Sequence, residues 1–377
     1  MKLLERALQI TIITNLKPNK VCVLLGARRV GKTILIKEIL KGYNEKYLLL
    51  NGEDFQVQDM LKERSISNYK RLLQGINLLV IDEASSINDI GKILKLIVDE
   101  IDGIKIIATG SSAFDLLNIF GEPLTGRSII FHLFPVSQSE LSRTENFIET
   151  SRMLEERLIF GSYPELFQIY DLEGKKIYLQ NLVNTYLLKD ILAIDGLRNS
   201  SKMYDLLKLL AFQIGKEVSI NELGLQLRLS KNTIEKYIDL LSKVFVIFKL
   251  PGYSKNLRKE IKKSAKWYFY DNGIRNALIS NFSPLALRRD IGELWKNYLI
   301  SERIKSNNYK MKYVNTYFWR TYDQQEIDLI EEYEGKLYAY ELKWGNKPVK
   351  APKSWTNAYP NTDFFNINRN NYIEWIS

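Results

Sequence analysis

One cysteine and one histidine in 377 residues exclude several kinds of chemistry at once. A lone thiol builds neither a disulfide framework within the chain nor a multi-cysteine zinc site. With His132 as the single imidazole, histidine-based metal sites and acid–base dyads are nearly excluded too. Any catalysis must rest on carboxylates, lysine, hydroxyls and a bound metal. Cys22 sits in an apolar run, so a reduced, buried side chain is expected there rather than a reactive thiol. Long hydrophobic runs are missing as well, since no stretch approaches the ~18 apolar residues that would span a bilayer. The N-terminus mixes Lys2, Glu5 and Arg6 with a short apolar run broken by Gln9, Thr11 and Thr14, which does not read as a signal peptide. A cytoplasmic protein without a membrane partner is expected.

What is present, 45% hydrophobic and 26% charged residues, is the composition of an ordinary soluble globular protein. The length suits two or three domains, each with its own core. A net charge of +10 points toward an anionic partner, although a lysine-rich surface also serves solvation.

The chain is organised around Gly26-Ala27-Arg28-Arg29-Val30-Gly31-Lys32-Thr33, which fits the phosphate-binding loop pattern GxxxxGK(S/T). Val21 to Leu25 before it reads as a buried strand and Ile34 to Leu40 after it as a helix, the context this loop requires. Such a loop wraps a phosphate chain in backbone N–H groups at a helix N-terminus, where the helix dipole favours anions. Lys32 adds a mobile positive charge for the β- and γ-phosphates, and Thr33 offers a hydroxyl to Mg²⁺. Gly26 and Gly31 are expected because a Cβ would block the tight turn.

Residues 1 to about 18 read as a helix, and Lys17-Pro18-Asn19 as the turn into the first strand. Lys46 to Asn51 looks like a second strand, followed by a polar helical stretch ending near Gly75. Asn77 to Ala84 is an apolar strand that terminates in Asp82 and Glu83, a Walker B arrangement. Asp82 can hold Mg²⁺ beside Thr33, and Glu83 can polarise an attacking water. A helix over Asp89 to Ile101 leads to the strand Ile104 to Ser112. Ligands in an open parallel sheet bind beyond the carboxyl ends of the strands, which puts Thr109 and Ser111 beside the γ-phosphate as sensor residues. Arg127, before a strand over Ile129 to Phe134, is expected near the same edge. There it stabilises transition-state charge in cis, or toward a neighbouring subunit of a homo-oligomer, or else serves as a structural arginine.

Together GARRVGKT, LLVIDEA, IIATGSS and the Gly126-Arg127 pair before Pro135 resemble the archaeal and bacterial P-loop ATPases of the AAA+ class. Those proteins typically pair an AAA domain with a C-terminal domain of the DUF4143 type. The resemblance, with the absence of a guanine-reading NKxD motif, implies ATP as the nucleotide. The family often has Gln two residues after the Walker B glutamate, where this chain has Ser85. The expected architecture is α/β: a P-loop NTPase (AAA+) parallel sheet over 1–135, a helical lid over 136–200, a winged helix over 201–265 and a restriction-endonuclease-like domain over 266–377. The GSYPE turn at Gly161 and the Thr185 to Asp190 segment resemble the family's lid behind the nucleotide site, expected to be a small bundle that moves with nucleotide state.

Residues 202 to 253 read as helix, short strand, two helices joined by a turn at Leu229-Ser230, and strand, with Asn221 and Ser230 as helix caps. This is the order of a winged helix-turn-helix, which would present Lys231, Asn232, Thr233 and Lys236 to the major groove of double-stranded DNA. Lys255, Arg258, Lys259, Lys262 and Lys263 would then suit phosphate contacts. Winged helices also serve as packing or subunit-contact modules.

Beyond residue 266, Glu326 to Ile330 and Leu337 to Trp344 read as a hairpin. Asp328 on one strand, then Glu341 and Lys343 on the next, follow the PD-(D/E)xK nuclease pattern, in which two carboxylates hold Mg²⁺ and a lysine orients water. Relatives commonly supply a glutamate from the preceding helix in a segment like FEN. Here the match is Trp295-Lys296-Asn297, with Glu293 or Glu302 as substitutes. Three readings follow: an ATPase whose cycle works on DNA, a nucleotide-dependent switch or scaffold for a protein partner with a degenerate nuclease domain, and an ATP-regulated nuclease.

Overall fold

The computed structural model describes residues 4–110, 123–187, 200–254 and 265–377. The chain divides into two compact units, the first made of the residues up to Phe134 together with Lys243–Phe245 and the second of the other described residues from Pro135 on.

The first unit alternates helices and strands: α1 (Leu8–Asn15), β1 (Lys20–Leu25), α2 (Lys32–Lys41), β2 (Tyr47–Asn51), α3 (Phe55–Lys62), α4 (Ile66–Leu72), β3 (Leu78–Asp82), α5 (Ile90–Glu100), β4 (Lys105–Gly110) and β5 (Ser128–His132). The five strands form one sheet in the order β2-β3-β4-β1-β5, every neighbouring pair parallel. Helices on a parallel sheet bury both of its faces, which is why the central strands read as unbroken apolar runs. Leu78, Leu79, Val80 and Ile81 are all buried, as are Cys22 and its neighbours in β1. Burial pushes the Cys22 thiol up to about 12, so it is the inert core side chain expected. The polar stretch after β2 is two helices rather than one. Asp54 accepts from the Gln56 N–H at the start of α3, and Ser65 from the Asn68 N–H at the start of α4.

The second unit begins with α6 (Gln138–Leu141), α7 (Phe147–Phe160) and α8 (Leu172–Asn181). These continue into α9 (Ser200–Phe212), β6 (Glu217–Val218), α10 (Ile220–Leu227), α11 (Lys231–Lys243), β7 (Ile247–Pro251), β8 (Ala265–Phe269) and α12 (Asn272–Leu278). The cap of α10 is Ser219, which accepts from the Glu222 N–H, and not Asn221. Ser230 caps α11 as expected, through the Thr233 N–H. β8 pairs antiparallel with both β7 and β6, so the boundary expected at residues 265 and 266 falls at the edge of this three-stranded sheet and separates β8 from its partners. Helix α7 packs on α12, so the helices expected as a lid share a core with the residues that follow them.

The unit ends with α13 (Ile291–Tyr309), β9 (Asn315–Arg320), β10 (Glu326–Tyr333), β11 (Lys336–Leu342), α14 (Lys353–Ala358), β12 (Asp363–Ile367) and α15 (Tyr372–Ile376). Its sheet runs β12-β11-β10-β9, with β11 and β12 parallel and the other pairs antiparallel. The β10–β11 hairpin turns through Glu334 and Gly335 at φ 50° and 74°, the doubly positive backbone of a two-residue primed turn. Trp319, Ile327, Ile330, Ala339 and Trp355 pack together on one face of this sheet. Among the described residues no helix is long and apolar enough to cross a membrane.

Candidate nucleotide site and a second carboxylate site

Between β1 and α2 the chain turns tightly enough to bring Gly26 against the end of β5. A Cβ on Gly26 would lie 2.2 Å from the Leu133 carbonyl oxygen. Gly31 follows at φ 98°, a backbone that favours glycine, and Arg29 is left-handed at φ 64°. Ala27 and Val30 are buried, Arg28 is half-buried, and Arg29 is exposed. Helix α2 starts with no side-chain cap and no acidic residue in its first turn, the electrostatics an anion site needs. Lys32 is only 5% exposed, and its ammonium donates to the Gly26 and Ala27 carbonyls at 3.1 and 3.2 Å. Arg6 was not singled out in the sequence. It is buried and braces the loop from behind, donating to Val30 O at 2.6 Å and Phe134 O at 2.7 Å.

The carboxyl ends of β3 and β4 meet this loop. Thr33 donates to Asp82 Oδ2 at 2.6 Å, and Thr109 donates to Asp82 Oδ1 at 2.6 Å. The same Thr109 hydroxyl accepts the Glu83 backbone N–H at 2.9 Å. Thr109 is fully buried with its hydroxyl committed to Asp82 and Glu83, so it positions the acidic turn rather than reaching outward as the sensor expected from sequence. Glu83 itself is left-handed, at φ 49° and ψ 45°, a conformation that costs on the order of 1–3 kcal/mol for a residue with a Cβ. Its carboxylate lies 3.8 Å from the Lys32 ammonium. Gly52, also missed in the sequence, closes the back of the turn. Its N–H donates to Asp82 O at 2.7 Å, and a Cβ there would lie 2.3 Å from the Glu83 carbonyl oxygen.

Ser111 lies outside the described residues. Arg127 is described, and the expectation that it joins this edge is corrected. Val21, at the start of β1, donates to the Arg127 carbonyl, and Ser128 pairs with Val21, so Arg127 sits at the amino edge of the sheet, opposite the phosphate loop. There it is bound by both oxygens of Asp99, at 2.6 and 3.2 Å.

The second unit holds the other expected site. Simple alternation along β10 fails because a bulge lies between Ile327 and Ile330. Asp328 and Glu331 consequently both reach α13, where Asp328 pairs with Lys296 and Glu331 with Arg303, two turns further along the helix. Asp328 Oδ2 accepts the Leu342 N–H at 2.9 Å. On β11, Glu341 pairs with Lys343 at 2.7 Å. Burial pushes the Glu341 carboxyl up, and the charge of Asp328 pushes the same way. Glu302 does not substitute for a missing ligand: it is buried, bound to Lys305 at 2.7 Å, and accepts the Gln138 N–H at 2.6 Å. Among the described residues no group of three or more acidic, histidine or cysteine side chains is arranged to hold a metal ion.

On the expected DNA face, Lys231, Asn232 and Lys236 of α11 are exposed and Thr233 is half-buried. Lys231 lies 3.7 Å from Glu235. The basic residues Lys255, Arg258, Lys259, Lys262 and Lys263 lie outside the described residues.

Three family models match the chain. Residues 18–142 match an AAA domain and residues 291–371 the DUF4143 domain of unknown function. Residues 151–285 match a third, DUF8612, also of unknown function, which spans α7 to α12 in one domain. An uncharacterized protein of Mycobacterium tuberculosis, Rv2008c, is 25% identical over 334 residues, 87% of this chain and 71% of that one. The uncharacterized protein MJ1544 of Methanocaldococcus jannaschii is 26% identical over 396 residues, 97% and 84% of the two chains. Among solved structures, the Walker-type ATPase PABY2304 of Pyrococcus abyssi has 17% identity and a TM-score of 0.49, covering 74% of this chain and 96% of that one. The chain thus carries an α/β P-loop fold with an AAA domain at its N-terminal end and a DUF4143 domain at its C-terminal end.

Proposed function

We propose that this chain, which joins an AAA domain to a DUF4143 domain, is a Mg²⁺-dependent ATPase whose turnover is coupled to double-stranded DNA. One observation carries the reading: Thr33, Asp82, Thr109 and the Glu83 backbone form a continuous hydrogen-bonded set beside the Lys32 ammonium. These groups fit a nucleotide and its metal by their chemistry. The uncapped start of α2 supplies N–H donors, Lys32 a cation, and Thr33 with Asp82 two hard oxygen ligands. Mg²⁺ held by Thr33 and Asp82 would neutralise charge on the phosphate oxygens. In this reading Lys32 exchanges the Gly26 and Ala27 carbonyls for phosphate oxygens. Glu83 orients the attacking water and accepts its proton. Thr109 keeps Glu83 in its left-handed turn. Phosphoryl transfer of this kind rests on position and charge more than on covalent steps, which suits a site without histidine or reactive thiol.

The DNA part of the proposal is supported by the winged-helix order of α9, β6, α10, α11, β7 and β8 and by the exposed polar start of α11. The test is the ATP hydrolysis rate with and without double-stranded DNA at low and moderate salt. Stimulation that weakens with salt is expected. A low rate indifferent to DNA would replace this reading with that of a nucleotide-dependent switch.

The close approach of Gly52 to Glu83 yields a sharper expectation. Gly52→Ala must move the Glu83 carbonyl, and displacement of a catalytic group on the ångström scale costs roughly 10²-fold. Turnover should fall by about that factor with nucleotide affinity within a few-fold of wild type, measured by steady-state hydrolysis and by titration with a fluorescent nucleotide. Equal loss of affinity and turnover would mean that Gly52 supports the phosphate loop instead.

A further inference from the structure

We propose that the Lys296 ammonium takes the place of a divalent cation in the Asp328–Glu341 site, so that the DUF4143 hairpin neither binds Mg²⁺ nor cleaves a phosphodiester. The two carboxylates have the placement that a metal pair needs. They lie on adjacent strands of one hairpin, are almost completely buried, and act on each other strongly enough that the Asp328 charge raises the Glu341 carboxyl after burial has done so. Two buried carboxylates this close require a counter-charge. That charge is already built in. Lys296 reaches from α13 to Asp328 Oδ1, and Lys343 lies 2.7 Å from Glu341. The second oxygen of Asp328 is held by the Leu342 N–H. With these ligands the cluster sums to zero net charge, and both Asp328 oxygens are occupied.

The lysine is committed to this place. Burial alone would lower its pKa, but the Asp328 charge and hydrogen bond outweigh burial, and Glu326 and Glu341 add to them. The charged form is therefore the stable one. A divalent ion entering here would have to expel one ammonium and then sit beside the other. Lys296 and Lys343 also line a cleft of about 520 Å³, in which the neighbouring Lys266 and Arg320 are already paired with Glu326 and Glu217. Expulsion of Lys296 would leave its half-buried ammonium without its partner and Asp328 buried without its counter-charge, which is costly. An ammonium of this kind does for the fold what a metal would do, holding α13 to the hairpin, but it offers neither an open coordination position nor a bound water of lowered pKa.

Mn²⁺ serves as the probe, in the full chain carrying Asp82→Asn so that the nucleotide site does not contribute. The Mn²⁺ isotherm of this protein should coincide with that of the same protein carrying Asp328→Asn as well. Adding Lys296→Glu should create one new Mn²⁺ equivalent, lost again with Asp328→Asn, and should make the melting temperature of that variant rise on addition of Mn²⁺ relative to EDTA. Mn²⁺ binding in the Lys296 protein that disappears with Asp328→Asn would overturn the proposal. So would a folded Lys296→Glu variant, by circular dichroism, that gains no Mn²⁺. Should that variant fail to fold, the first comparison decides by itself.

Discussion

Glu83→Gln should lower ATP turnover by about 10²–10³-fold while nucleotide affinity stays within about threefold, since a positioned general base contributes on that scale and Gln has the same shape. Among the described residues the side chain's one contact with the phosphate loop is the 3.8 Å approach to Lys32, too long for a hydrogen bond. The backbone device that presents it is unchanged by the substitution, because Thr109 and Gly52 act on the Glu83 N–H and carbonyl rather than on its carboxylate. The variant should therefore bind ATP, hydrolyse it slowly and melt at the wild-type temperature. Single-turnover hydrolysis beside equilibrium nucleotide binding measures the split. Turnover within twofold of wild type would remove Glu83 from the chemistry and leave a site that binds without acting.

How much of this site was legible in the sequence depends on which physical rule governed each residue. The phosphate loop and the acidic turn were readable because apolar runs flank them and their residue types have few other uses at that spacing. Thr109 was placed at the right strand end but given the wrong task, since nothing in the sequence says that a buried hydroxyl faces back toward Asp82. Arg127 was placed at the wrong end altogether. It precedes β5, and in an all-parallel sheet residues before a strand lie at the amino edge while ligands bind at the carboxyl edge, so the rule that places Thr109 also excludes Arg127. Gly52 and Arg6 left no motif: one matters through a backbone approach and the other through a carbonyl contact across more than a hundred residues. In the hairpin, Asp328 and Glu341 were found by pattern. The bulge that turns Asp328 and Glu331 toward one helix breaks the two-residue alternation on which strand reading depends.

The side chains of the segment Asp271-Asn272-Gly273-Ile274-Arg275-Asn276 satisfy the ends of three helices. Asp271 caps α12 itself, accepting the Gly273 and Ile274 N–H groups at 2.8 and 3.3 Å, while its other oxygen takes the Ser162 N–H at 2.7 Å. Asn272 and Asn276 donate to Leu158 O, and Asn276 also to Ile159 O, carbonyls of the last turn of α7 that a helix cannot satisfy internally. Arg275 does the same for Ala211 at the end of α9, at 2.8 Å. Asn297 of α13 completes the set by donating to Asn272 and exchanging two hydrogen bonds with Phe269 of β8. Gly273 is required because a Cβ would lie 2.0 Å from the Phe160 carbonyl.

Asp271→Ala should therefore destabilise the second unit by about 3 kcal/mol, roughly 1 from the lost cap and 1–3 from a buried Ser162 N–H left without an acceptor. All six tryptophans lie in that unit, so urea unfolding followed by tryptophan fluorescence reports it alone. A change below 0.5 kcal/mol, on the order of an ordinary surface substitution, would mean that the packing of α7 on α12 stands without this carboxylate. The pH dependence has a fixed sign. Burial raises the Asp271 carboxyl, with Lys305 and the three N–H donors pulling it back only in part. A raised folded value means that its contribution is full below the ordinary carboxylate range and declines as pH rises through the raised value. Asp271→Asn cannot titrate, so the stability of the wild-type protein relative to this variant should be greatest in acid and shrink as pH rises. A gap that widens with pH would show that the N–H donors and Lys305 outweigh burial, and that the carboxylate is held charged inside the hub.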